Sequence, residues 1–169
     1  LKTTDGGVTW SSTGLTYSAS QNELVYSLVI HPTNSSILFA ATSTGLFKTT
    51  NGGTNWTLKE ANAWNDIEFK PGDPNIMYAT NLVNYGNTYI VRSSNSGESW
   101  SFSILAAGRR GELAVTPADP SVVYLLSANS GGGVFGVYKS TDSGASFNVV
   151  NSGSPAGMLG YYTNGSGGS

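Results

Sequence analysis

The chain has 169 residues, no cysteine and a formal charge of -2 from eight basic against ten acidic residues. The lack of thiols excludes disulfides, Cys-ligated zinc and a cysteine nucleophile, and the lack of any charge run excludes an electrostatic surface for nucleic acid or anionic membrane. A hydrophobic fraction of 38% supports a sizeable core despite 22 glycines, while only 11% of residues are charged, well below the usual quarter. The solvent face is therefore built from Ser, Thr, Asn and Gly, a surface expected of an extracellular protein. There is no initiator methionine, no signal peptide and no apolar run that would span a bilayer, and Leu1 already falls within the repeat pattern described below, so a longer parent protein is expected.

In chain order, the first element is a turn phrase, Thr3-Thr4-Asp5-Gly6-Gly7-Val8-Thr9-Trp10. A strand is predicted over 24–30, a tight turn at His31-Pro32-Thr33-Asn34, then strands over 37–42 and 45–49. The turn phrase returns from Thr49 to Trp56. The same order recurs twice. Strands over 66–69 and 112–115 precede the turns Pro71-Gly72-Asp73-Pro74 and Pro117-Ala118-Asp119-Pro120; strands over 76–80 and 122–126 follow them. The phrase closes each unit again, from Ser93 to Trp100 and from Ser140 to Phe147, placing Asp5, Asn51, Asn95 and Asp142 at spacings of 46, 44 and 47 residues.

Such a period belongs to repeat architectures whose units cannot bury a core face alone. Short strands without helical periodicity make each unit a four-stranded antiparallel meander, and radial repetition of meanders is the β-propeller. The expected fold is all-β: a propeller fragment of about three to four blades with the turn phrase between third and fourth strands. Residues 1–23 end one blade, 24–61, 62–105 and 106–156 are blades, and 157–169 start another or form a flexible tail. About three and a half blades cannot close a ring, so the remainder of the propeller or a partner chain is expected to cover the open blade faces.

The phrase resembles the Asp-box, or BNR, motif, Ser/Thr-x-Asp-x-Gly-x-x-Trp, in four in-register copies spanning essentially the whole chain. Asp5, Asn51, Asn95 and Asp142 are suited to accept backbone N–H bonds within their own turns, Gly7, Gly53, Gly97 and Gly144 to adopt positive φ, and Trp10, Trp56, Trp100 and Phe147 to pack on the sheet. The resemblance implies a sialidase/sortilin-like propeller, a superfamily that includes sialidases, xyloglucan-cleaving hydrolases and photosystem assembly factors. Residues 31–56 are similar in style to secreted Bacteroidota surface proteins of the type IX secretion system.

Five residues before Pro32, Pro71 and Pro117 stand Ser27, Asp66 and Glu112, one equivalent position on the innermost strands, which line the central channel. By the same count Trp64 matches Arg110, with Arg109 beside it. These residues are the candidate ligand site: carboxylates as oxygen ligands, Trp64 as a stacking face. The competing expectation is that the acids bond inner-strand ends or the adjacent arginines. Tyr85, in a loop over 81–87 that interrupts the repeat, is a further candidate for sugar stacking; a second interrupting loop covers 127–133.

No catalytic residue, metal or cofactor is assigned. With three arginines and no Arg-Ile-Pro segment a sialidase fits poorly, and the single histidine, His31, reads as a turn residue rather than a base. The principal functional expectation is a non-catalytic extracellular interaction or scaffold propeller binding glycan or protein. The alternatives are an Asp-box glycoside hydrolase with catalytic residues partly on other blades, and an assembly factor that docks on a partner protein.

Overall fold

The computed structural model describes residues 1–17, 19–83, 87–129 and 133–152; Tyr85 and the segment 157–169 lie outside them. Three four-stranded antiparallel sheets follow one another along the chain. The first contains β1 (Val25–Ile30), β2 (Leu38–Thr42), β3 (Gly45–Thr49) and β4 (Thr57–Ala61); the second, β5 (Trp64–Phe69), β6 (Met77–Asn81), β7 (Asn87–Ser93) and β8 (Ser101–Ala107); the third, β9 (Arg110–Val115), β10 (Val123–Ala128), β11 (Val134–Ser140) and β12 (Asn148–Ser152). Each is a simple meander, and the chain is a section of a β-propeller. Ahead of the first sheet, Lys2 and Ser11 form an isolated antiparallel bridge around the first turn phrase.

The sheets bury apolar faces against one another. Phe39, Ala41 and Leu46 of the first blade meet Trp64, Ile67, Met77, Ala79 and Val91 of the second, and Tyr78, Ile90 and Ala106 of the second meet Leu113, Val123, Leu125 and Tyr138 of the third. Alternation along each strand supplies one such face per blade side.

The turn phrases explain their own composition. In the first, the Thr3 hydroxyl donates to Asp5 Oδ1 (2.7 Å) and accepts from the Gly7 N–H (2.9 Å), while Asp5 accepts from the Thr9 N–H (2.9 Å). The Gly53, Gly97 and Gly144 N–H groups likewise donate to Thr49, Ser93 and Ser140 at 3.1, 2.9 and 2.9 Å. Asn55, Ser99 and Ser146 N–H groups donate to Asn51, Asn95 and Asp142 at 2.9, 3.0 and 2.9 Å. An amide oxygen serves as well as a carboxylate, which is why Asn and Asp interchange here. Hydrogen bonds from Thr9 and from Ser146 hold the Asp5 and Asp142 carboxyls down at about 2.

Three of the four turns also fasten their blade to the one before. A cation immediately precedes the phrase in every copy (Lys2, Lys48, Arg92, Lys139). Lys2 Nζ donates to the Gly52 carbonyl (3.2 Å), Lys48 Nζ to Ser96 (2.7 Å) and Arg92 Nε to Ser143 (2.9 Å). The accepting residues occupy one position of the turn and all have positive φ, 66°, 59° and 58°. That conformation turns the carbonyl outward toward the preceding blade, and the charge-assisted bond helps offset its cost of about 1–2 kcal/mol at a serine. Glu98 reinforces the second of these junctions by bridging Lys48 and Lys59 at 2.6 Å each.

At the second and third junctions the next residue of the turn must be small. A Cβ on Gly97 would stand 2.3 Å from Phe39 Cε1, and one on Gly144 2.6 Å from Tyr78 Cε1. Phe39 and Tyr78 hold the same ladder position in β2 and β6. Gly7 also has positive φ (95°), yet its nearest neighbour to such a Cβ is Trp10 at 3.9 Å. We therefore expect Gly7→Ala to cost about 1–2 kcal/mol from backbone strain alone, and Gly97→Ala to cost about 1–3 kcal/mol more from overpacking against Phe39. Chemical denaturation of the two variants checks this; equal losses would mean that the junction tolerates the extra methyl group.

Candidate functional site

The ladders confirm that Ser27, Asp66 and Glu112 are equivalent: they pair with Ala41, Thr80 and Leu126, each three steps from the hairpin end. They converge on one cavity of about 260 Å³, lined by Tyr26, Ser27, Asn65, Asp66, Leu82, Arg110 and Glu112. Three inner strands thus contribute to one mouth, as the spacing from the prolines implied.

Within it the two acids are used differently. Asp66 is 9% exposed. Its Oδ2 accepts the Leu113 N–H of the next blade at 2.9 Å, its Oδ1 accepts the Ile67 N–H at 2.9 Å, and Ser27 donates to it from the preceding blade. Burial raises its pKa, with the charge of Glu112 adding to the rise, while the N–H donors from Leu113 and Ile67 pull the other way. Asp66 is a cross-blade strut whose two oxygens each accept a backbone N–H. Glu112 is the accessible carboxylate, with 43% of its side chain exposed. Arg110 Nε donates to Oε1 at 2.8 Å, its Nη2 donates to the same oxygen, and the buried Asn65 amide adds a bond at 3.2 Å. One Glu112 oxygen is thereby tied down in a pair oriented toward the cavity.

Trp64 is placed elsewhere. It is 2% exposed and lies in the core between the first two blades, donating Nε1–H to the Ala61 carbonyl at 3.0 Å and meeting Tyr89 edge-on. Its face is not open to a ligand. The count that matched it to Arg110 fails because β5 carries a bulge between Trp64 and Asp66, absent from β9, so Trp64 pairs with Asn81 while Arg110 pairs one step further out, with Ala128. The ladder counterpart of Trp64 is Gly111, opposite Ser127. Arg109 also serves the scaffold: its Nε donates to the Val83 carbonyl (3.4 Å) and its backbone pairs with Val83 and Ala128.

Besides Leu82, which stands in the interrupting loop over 81–87, two lining residues went unrecognised in the sequence. Asn65 is the bulge residue of β5, and Tyr26 is the matching bulge residue of β1, between Val25 and Ser27. Both stand six places before a landmark proline, so the signal was available in the same count. Among the described residues, no three or more His, Asp or Glu side chains gather as a metal site. His31 is a turn residue, its Nδ1 accepting the Thr33 N–H and its ring edge-on to Phe69.

Glu68 is a third acid on the face of β5 that carries Asp66. Burial, aided by the Asp66 charge, pushes its carboxyl up to about 7.

No family model matches the chain. The xyloglucanase of Hypocrea jecorina (strain QM6a) is 30% identical, with 74% of this chain and 17% of that protein covered. Among solved structures, an ancestral GH74 enzyme superposes with a TM-score of 0.60 at 26% identity, covering 73% of this chain and 18% of its own. The GH74 enzyme of Niastella koreensis gives 0.58 at 27% identity, covering 78% and 21%. The chain spans about a fifth of the length of these relatives. They overturn the expectation of a non-catalytic scaffold: all three are named as enzymes, and the glycoside hydrolase alternative is the one they favour.

Three variants probe the acids. Asp66→Ala leaves the Leu113 N–H buried without its partner and should cost about 1–3 kcal/mol, whereas Asp66→Asn keeps an acceptor and should cost less; chemical denaturation compares them, and equal costs would remove the strut. For Glu68 the folded state keeps a proton that the unfolded chain releases above the ordinary value of 4.5. Stability should thus fall as pH rises from about 4.5 through about 7, and Glu68→Gln should flatten that slope. Melting temperatures across the window, with an unchanged slope in the variant, would refute it.

Proposed function

We propose that the chain is a section of an extracellular Asp-box glycoside hydrolase that cuts a neutral polysaccharide, with catalytic residues partly on blades outside this sequence. The observation that carries this is the 30% identity to a xyloglucanase across most of the chain, joined by the likeness to GH74 enzymes at 26 and 27% identity. Blades at 24–61, 62–105 and 106–156, with the rest of the ring or a partner chain over the open faces, accord with it. The low charge and the repeat style of residues 31–56 support export, by a type IX route in this reading.

In this account the four turn phrases are Asp-boxes that hold hairpins and junctions, and the channel-mouth cavity contributes to sugar binding. Glu112 is the accessible acid there; a glycosidase needs a second carboxyl at a defined separation across the scissile bond, roughly 5–5.5 Å for retention or 6.5–9.5 Å for inversion. Asp66, held by the Leu113 and Ile67 N–H groups and by Ser27, is read as structural in this account.

Reducing-end release by the full-length protein should be seen with xyloglucan or another neutral β-glucan and not with a polyuronate or sialylated glycan. Absence of release from every neutral polysaccharide would reject the hydrolase.

A further inference from the structure

We infer that Tyr26, carried into the channel mouth by the β1 bulge, is the stacking platform of a subsite for one neutral sugar ring, with Arg110, Glu112 and Asn65 as its polar wall. The inference rests on the hydrolase reading for its ligand class, and on the geometry of the mouth for its location.

A regular ladder turns alternate side chains to opposite faces, and a bulge re-aims one residue out of that order; bulges gather beside active sites for this reason. Here adjacent blades carry the same device at the same height. The bulge between Val25 and Ser27 leaves Tyr26 outside the β1–β2 pairing, the bulge between Trp64 and Asp66 leaves Asn65 outside the β5–β6 pairing, and both residues line the same cavity. The third inner strand has no bulge and supplies Arg110 and Glu112 from its regular ladder instead. Neither Tyr26 nor Asn65 is needed for the strand pairing it interrupts.

Their fates differ in a way that suits a ligand. Asn65 is 4% exposed and fixed, its amide donating to the Gly111 carbonyl at 2.8 Å and to Glu112. Tyr26 lines the cavity beside Ser27 and is 39% exposed in this section of the ring. A tyrosine side chain packs against the C–H face of a sugar while its hydroxyl stays wet. In the same lining, Arg110 offers guanidinium N–H donors and Glu112 a second carboxylate oxygen, groups that bond vicinal hydroxyls.

Size and charge narrow the ligand. About 260 Å³ lies just below the roughly 300–1,000 Å³ that hold drug-sized molecules, enough for one ring of a longer chain that continues outward. Two carboxyls, Asp66 and Glu112, face one guanidinium, Arg110, so the mouth disfavours a sugar acid and admits a neutral ring.

Calorimetric titration of the full-length protein with neutral β-glucan oligosaccharides, and with an oligogalacturonate for comparison, tests the subsite. Tyr26→Ala should weaken neutral oligosaccharide binding about tenfold, Tyr26→Phe should bind within about twofold of the parent, and the oligogalacturonate should not bind. Circular dichroism and melting of both variants show whether they are folded; if Tyr26→Ala is not, Tyr26→Ser and Arg110→Ala should show the same loss. Binding unchanged in the folded variants, or no binding by the parent at millimolar oligosaccharide, overturns the subsite. Polysaccharide hydrolysis by the parent separates the two claims: activity that persists while the subsite prediction fails leaves the hydrolase standing, and a parent that neither binds nor cuts a neutral polysaccharide removes both.

Discussion

The bond on which this structure depends runs from a cation at the end of one blade's third strand to the carbonyl of a left-handed residue in the next blade's turn. It occurs at three successive junctions, from Lys2 to Gly52, Lys48 to Ser96 and Arg92 to Ser143. The turn that presents the carbonyl is itself held by the hydroxyl and Asp or Asn groups of the phrase. At the second and third junctions the glycine beside that carbonyl lies against an aromatic of the preceding blade, Phe39 or Tyr78. Local hydrogen bonding, backbone conformation and blade packing are thus one linked arrangement, and a change in any part is felt at the junction.

With the outer edges fixed in this way, the inner strands are free to diverge. Their ladders match step for step from the proline turns to the level of Ser27, Asp66 and Glu112, then part company. Bulges in β1 and β5 push Tyr26 and Asn65 into the mouth, while β9 continues regularly to Arg110. Asp66 spends its oxygens joining the three strands, which leaves Glu112 and Arg110 to face solvent. Rigid repetition outside and local irregularity inside is how a propeller carries chemistry on a common frame.

Much of the frame was legible in the sequence because it is written in residues with local roles. Asp5, Gly7 and Trp10 and their counterparts report a turn by their own chemistry, and the proline turns report strand register. The convergence of Asp66, Glu112 and Arg110 followed from that register. Trp64 did not, because a one-residue bulge shifts every position beyond it, and only the cross-strand pairing of Trp64 with Asn81 reveals the shift. Tyr26 went unrecognised for the same reason: nothing in the residue itself distinguishes a bulge tyrosine from a strand tyrosine. The role of Lys2, Lys48 and Arg92 depends on contacts between blades, which a period alone does not specify. Function was the least legible, since the repeated phrase is occupied by architecture, and the hydrolase proposal rests on the likeness to a xyloglucanase rather than on composition.

The most direct test is an experimental structure of the full-length protein with a neutral β-glucan oligosaccharide bound. This account predicts a sugar ring against Tyr26 within reach of Arg110 and Glu112, with Lys48 and Arg92 still bonded to the turn carbonyls of Ser96 and Ser143. An oligosaccharide bound elsewhere with the mouth empty, or junction cations turned to solvent, would contradict it.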